Sequence, residues 1–146
     1  MTERPIYVID SSIVTRWYLR NEPFLVAASR TQDDYQNQTI SLIAPNNLRF
    51  EVSGAIRQAI NQRYIRASDG EGYIQRVLEW DFPLIDADVL ILPAYRLSVR
   101  LGCSFYDAMY LSLGEYRDMP VIHADRNLHK ALAGRFPLEV WIEDYR

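Results

Sequence analysis

Apolar residues follow two rhythms along this chain, short unbroken runs and longer stretches with a helical repeat. The first run, Ile6-Tyr-Val-Ile9, ends in Asp10. It fits a buried parallel strand whose last residue reaches the carboxyl edge of a sheet. Ser11 and Ser12 then offer an N-cap to a helix through about Leu19, and a second helix is expected from about Pro23 to Gln38. Ile40 to Ala44 reads as the next strand, stopped by Pro45-Asn46-Asn47, which caps the third helix. In that helix Leu48, Val52, Ala55, Ile56, Ala59 and Ile60 recur at helical spacing and define a core-facing stripe. Glu51 lies beside that stripe in the first turn.

A fourth helix is expected from Ser68 or Asp69 to about Trp80, and a weaker strand from Phe82 to Ile85. Asp86 to Leu101 reads as a helix that Pro93 kinks or delays and Gly102 ends. Ser104 caps the helix that carries Asp107, which runs to about Arg117. Met119 to His123 is a strand, Asp125 starts a short helix of about 126 to 133, Gly134 ends it, and Leu138 to Ile142 closes the chain as a strand. Five short strands alternating with helices predict an α/β fold, a three-layer α/β/α sandwich around a central, mostly parallel five-stranded sheet. With 146 residues, 49% of them hydrophobic, the chain has material for one core and is expected to form a single domain over 1–146.

Composition narrows the chemistry. There is one cysteine, Cys103, and there are two histidines. An internal disulfide and the common Cys/His zinc spacings are therefore excluded, and any metal has to be held mainly by oxygen. The start, Met-Thr-Glu-Arg-Pro, has no leader pattern, and no apolar run approaches the roughly 18 residues needed to span a bilayer. A soluble, cytoplasmic protein is expected. The net charge of -3 argues against an indiscriminate nucleic-acid coat. Yet 15 of the 16 basic residues are arginine, with Lys130 the exception, and arginine is the better fork for phosphate oxygens.

Asp107 is the residue the pattern does not explain. It sits among apolar neighbours in the first turn of a core helix, with no Lys or Arg on the same turn. Burying an ionised carboxylate without a partner costs several kcal/mol. Asp10 and Asp125 lie at or just past strand ends, and Glu51 and Asp107 in the first turns of helices starting at that same edge, where open α/β sheets bind ligands. Four carboxylates brought together there repel one another unless a cation holds them. Oxygen ligands alone select Mg²⁺ or Mn²⁺, and such ions polarise phosphodiesters and activate water.

Four segments also resemble, in order, the motifs of PIN-domain ribonucleases, particularly VapC-like toxins. They are Val8-Ile-Asp10-Ser-Ser12, Arg49-Phe-Glu51-Val-Ser-Gly-Ala55, Tyr106-Asp107-Ala-Met-Tyr-Leu111 and Ile122-His-Ala-Asp125-Arg-Asn-Leu128. The resemblance implies that Asp10, Glu51, Asp107 and Asp125 hold or orient Mg²⁺ (or Mn²⁺), with Ser12 as a supporting hydroxyl. It implies a metal-dependent endoribonuclease cleaving single-stranded or loop RNA. For the toxin branch it implies a homodimer and inhibition by a small antitoxin protein. His123 departs from the pattern, because Thr or Ser is common there, and its imidazole is expected either to contact phosphate or water or to weaken the usual hydroxyl support.

Other readings stay open at this level. A PIN module that binds RNA or protein without cutting it, and a PIN nuclease of RNA processing, fit the same motifs. A phosphatase or phospho-acceptor domain also places Asp at strand ends, but Ser12 stands where haloacid-type phosphatases have a second Asp. Each acid has a plain alternative as a helix cap or first-turn residue. Asp86 and Asp88 are read as caps, Cys103 as a small buried hydrophobe, and Trp17, Tyr18, Phe24 and Tyr35 as core aromatics or the wall of a partner groove. Arg16, Arg20, Arg49 and Arg126 lie near the acidic edge in sequence, as solvated groups or phosphate contacts.

Overall fold

The strand order of this protein puts its first and fourth strands side by side, and the rest of the architecture follows from that neighbourhood. The computed structural model describes residues 3–146. Strands β1 (Ile6–Ile9), β2 (Ser41–Pro45), β3 (Leu84–Ile85), β4 (Val121–His123) and β5 (Glu139–Trp141) form one sheet in the order β3-β2-β1-β4-β5. Every neighbouring pair is parallel, including Val8 opposite Ile43 and Ile9 opposite Ile122. The sheet is thus wholly parallel where a mostly parallel one was expected. The chain first winds from β1 through β2 to β3, then crosses back over β1 to β4 and β5. The two directions part between β1 and β4, where a crevice must open at the carboxyl edge.

Among the described residues, seven α-helices cover the sheet: α1 (Ser11–Tyr18), α2 (Leu25–Gln36), α3 (Leu48–Asn61), α4 (Ala67–Leu78), α5 (Ile91–Leu101), α6 (Phe105–Arg117) and α7 (Arg126–Leu132). They complete the α/β/α layering. Along α3, Leu48, Val52, Ile56 and Ala59 are buried as the stripe predicts, while Ala55 and Ile60 are half-buried at its edges. Each large apolar side chain so buried is worth roughly 1.5–3 kcal/mol. Helix α6 runs against β1, β2 and β4 with α5 packed on it. Its approach depends on Gly114, where an added Cβ would meet the Val121 side chain and sit 2.9 Å from the Met119 carbonyl oxygen.

Several element ends differ from the sequence reading, each for a local reason. Asp10, and not Ser11 or Ser12, is the N-cap of α1, because its extended backbone lets its carboxylate accept the Ser12 N–H. The expected helix over 86–101 divides between Leu90 and Ile91: Ala87–Leu90 is a 3₁₀ turn capped by Asp86, and α5 begins at Ile91 with Pro93 in its first turn, where a missing N–H costs nothing. Gly102 ends α5 in the left-handed conformation, φ 71°. At the end of α7 the left-handed cap position falls on Ala133, one residue before Gly134. Asn47 stands at the N-cap of α3 without capping it; its side-chain amide turns to Glu51 instead. Trp17 and Tyr18 are core residues, whereas Phe24, Tyr35 and Cys103 are partly buried against the core. No helix among the described residues is long and apolar enough to cross a membrane.

Candidate active site

The end of β1 sets the site. Asp10 N–H donates to the Ile122 carbonyl oxygen (3.1 Å), which locks Asp10 beside the chain leaving β4. Ser12, in the first turn of α1, closes the same corner: its hydroxyl donates to Asp10 Oδ2 (2.6 Å) and accepts the Ala124 N–H (2.9 Å). The Ser12 hydroxyl thus bridges the Asp10 carboxylate and the chain leaving β4. Asp10 is 2% exposed, and its other oxygen, Oδ1, is buried with no hydrogen-bond partner among the described residues. Burial raises its pKa to about 6; the Ser12 hydroxyl opposes the rise, and the charge of Asp107 adds to it.

The other three acids surround this corner. Glu51, in the first turn of α3, receives the Tyr110 hydroxyl on Oε2 at 2.6 Å, and the Asn47 amide donates to the same oxygen. Its pKa is raised, first by burial and further by Asp107. Asp107 follows its cap Ser104 in the first turn of α6; burial raises its pKa, and Asp125 raises it further. Asp125 caps α7, with Oδ1 accepting the N–H groups of Asn127 (2.9 Å) and Leu128 (3.2 Å). The structure thus brings the four acids into one electrostatic neighbourhood in which Asp107 feels or is felt by each of the others. They are spaced more widely than ligand atoms within 4.8 Å of one another.

Beside them opens a cleft of about 560 Å³ whose walls include Ser12, Arg16, Phe24, Glu51, Asp125 and Arg126. Arg16 is not a solvated arginine. It is buried, with Nε on the Pro23 carbonyl oxygen (2.8 Å) and Nη1 on that of Ser12 (2.6 Å), and its charge reaches Asp125 and Asp10. Arg20 and Arg49 are likewise turned to protein carbonyl oxygens. Arg126 is exposed, its guanidinium 5.1 Å from the centre of the Phe24 ring, which meets Trp141 edge-on. Phe24 has left-handed backbone, φ 65°, a strain that side chains other than glycine bear only where neighbours hold them.

Both histidines of the chain, distant in sequence from their partner, converge outside the cleft. Glu139 Oε2 is 2.7 Å from His123 Nε2 and 2.8 Å from His129 Nδ1, the one trio among the described residues with all ligand atoms within 4.8 Å of one another. The Asp125 N–H points at His123 Nδ1 (3.2 Å), so that nitrogen holds the lone pair and Nε2 the proton. A metal at Nε2 would need the proton moved to Nδ1, against the Asp125 N–H. The trio therefore reads as a hydrogen-bonded clamp on β4, α7 and β5. With both ring nitrogens engaged inside the protein, buried His123 is turned away from any phosphate. Tyr110, Asn47 and Glu139 carry no signal in the sequence beyond their proximity to motif residues, or none at all.

The donor set suits a hard divalent cation. Asp10 Oδ1 is a buried carboxylate oxygen lacking any donor among the described residues, three of the acids have raised pKa values, and both ring nitrogens of His123 are engaged inside the protein. A wholly parallel sheet with its acids at the β1/β4 switch point defines a class of α/β proteins that bind ligands at the carboxyl edge. Residues 7–133 match the model of the PIN domain, and the chain belongs to that family, whose members are typically nucleases. Among solved structures it resembles the crystal structure of PAE2754 from Pyrobaculum aerophilum, at 19% identity and a TM-score of 0.65, over 97% of this chain and 93% of that one. That likeness concerns the fold. No curated protein matches the chain.

Proposed function

We propose that this PIN domain is a metal-dependent endoribonuclease whose cation, Mg²⁺ or Mn²⁺, is held by Asp10, Glu51, Asp107 and Asp125. The observation that carries the reading is the buried, partnerless Oδ1 of Asp10 amid three further acids. Ionising a group so placed costs folding free energy, and a cation beside it offsets that cost. When bound, such a cation supplies Lewis-acid polarisation of a phosphodiester and a water of lowered pKa.

The chain's own residues supply the rest. Ser12 fixes the Asp10 carboxylate and ties it to the β4 exit. Asp125 is oriented by its cap bonds to α7 and, through its backbone, by His123. Arg126 and Phe24 give the cleft a free guanidinium and an aromatic edge, which suit a phosphate and an unpaired base. Arg16 is already committed to Pro23 and Ser12 and holds the wall in shape.

The finer assignment, a toxin with a small antitoxin and a homodimeric state, rests on the likeness of the four motifs to VapC-like toxins. An exposed apolar stripe on α5, Leu92 (55% exposed), Tyr95 (59%) and Val99 (69%), is consistent with a protein partner. The deciding assay is cleavage of RNA with Mg²⁺ by the wild type beside Asp10→Asn. Loss of cleavage in the variant is expected, and equal activity in both defeats the proposal. Mg²⁺ binding without turnover on any RNA favours the non-cutting module instead.

A further inference from the structure

Three of the four acids share a pattern that metal binding alone does not require. A carboxylate oxygen has two lone-pair sites. In Asp10, both sites of Oδ2 are taken, by Ser12 N–H (3.0 Å) and Ser12 Oγ (2.6 Å). In Asp125, both sites of Oδ1 are taken, by the N–H groups of Asn127 and Leu128. In Glu51, both sites of Oε2 are taken, by the Tyr110 hydroxyl (2.6 Å) and the Asn47 amide. Asp10 Oδ1 and Asp125 Oδ2 accept no hydrogen bond among the described residues, and neither Tyr110 nor Asn47 bonds Glu51 Oε1, beside which the Ser11 hydroxyl is the further donor to the carboxyl.

We propose that Tyr110 is a metal-selectivity residue, which by filling Glu51 Oε2 together with Asn47 restricts Glu51 to one open oxygen and tunes the site to small six-coordinate cations against Ca²⁺. This rests on the reading that the four acids hold a divalent cation. Ca²⁺ takes six to eight oxygens and favours carboxylates that bind through both, whereas Mg²⁺ takes six at short distance, few of them carboxylate. Acids limited to one oxygen each serve the second ion and starve the first. Ser12 and the first turn of α7 impose the limit through local geometry that any cap provides. Tyr110 is different. It comes from α6, is 1% exposed, and its hydroxyl reaches across to the start of α3.

The test is direct calorimetric titration of the full chain with Mg²⁺ and with Ca²⁺, for the wild type and Tyr110→Phe. The wild type should bind Mg²⁺ in preference to Ca²⁺. In Tyr110→Phe a lone pair of Oε2 opens, and the ratio of Ca²⁺ to Mg²⁺ affinity should rise several-fold, whatever happens to either affinity alone. Asn47→Ala, at the half-buried start of α3, opens the other lone pair and should move the ratio the same way; it carries the test if Tyr110→Phe does not fold. An unchanged ratio in folded variants overturns the proposal, as does a wild type that binds Ca²⁺ as well as Mg²⁺. Absence of all divalent binding overturns it together with the metal reading. Binding with no RNA cleavage removes the nuclease reading alone and leaves the ratio measurable.

Discussion

Asp10 ionises against its surroundings. Its pKa rises from 3.8 to about 6, chiefly because burial disfavours the charged form. The folded, metal-free chain therefore binds a proton on Asp10 that the unfolded chain has already released between these two values. Stability from this group falls as pH rises through that window, and the full penalty of about 3 kcal/mol is present above it. Asn at this position carries no such penalty. In urea melts with EDTA, Asp10→Asn should gain on the wild type by about 2 kcal/mol between pH 4.5 and pH 7.5, the remainder having been lost below pH 4.5. A constant difference between the two proteins would contradict it. Saturating Mg²⁺ should stabilise the wild type and leave the variant nearly unmoved, since only the site with its full set of acids offers binding energy. Asp107→Ala should abolish RNA cleavage while leaving the melting temperature equal or slightly higher. The loss of a carboxylate that repels Asp10, Glu51 and Asp125 offsets the small cavity. A collapse of the far-ultraviolet circular dichroism would instead assign Asp107 a structural role.

Helix α6 carries two of the residues that matter and owes its position to a third. Asp107 and Tyr110 lie one turn apart, and four residues further Gly114 lets the helix close on β4. Gly114→Ala would drive a methyl into the Val121 side chain and the Met119 carbonyl. Backbone cannot yield as a side-chain tip can, so about 1–3 kcal/mol of stability should be lost in chemical denaturation, despite the better helix propensity of alanine. Stability equal to the wild type would mean the helix can shift outward. In that case the Tyr110 bond to Glu51 should lengthen, and the calorimetric preference for Mg²⁺ should weaken with it. At this scale the sequence was informative where packing and local chemistry agree, as along α3 and at Ser104 and Gly102. It was less so at Asp10 and Asn47, where a polar side chain has two possible partners and the sheet or a distant acid decides between them.

The whole molecule carries a net charge of -3, with Glu51 and Asp125 lining the cleft and Asp10 and Asp107 electrostatically linked to them. Without a divalent cation this edge repels a polyanion. Affinity for a single-stranded RNA, followed by fluorescence anisotropy in EDTA, should therefore rise when one acid is neutralised. Asp107→Asn is expected to bind more tightly than the wild type in EDTA, although it does not cleave with Mg²⁺. Equal or weaker binding would show that the RNA path avoids the acids. The same balance explains why the guanidinium of Arg126 stands out: among the other arginines near the acidic edge in sequence, Arg16 and Arg49 are turned to carbonyl oxygens of the fold, and exposed Arg20 bonds the Ser29 hydroxyl and the Arg16 carbonyl oxygen.

The sequence alone determined the alternation of strands and helices, a mostly parallel sheet and the motif order that marks a PIN domain, and singled out four acids as candidates, because each of these follows from local periodicity or from short segments whose chemistry is carried within a few residues. Tertiary structure decided the strand order, and with it the β1/β4 crevice beside which Asp10 and Asp125 lie. It alone set the burial of Arg16 and paired Glu51 with Tyr110, 59 residues away. It also turned His123 from the cleft toward Glu139, 16 residues on. Such pairings depend on which elements lie side by side across the sheet, and no spacing along the chain encodes that distance.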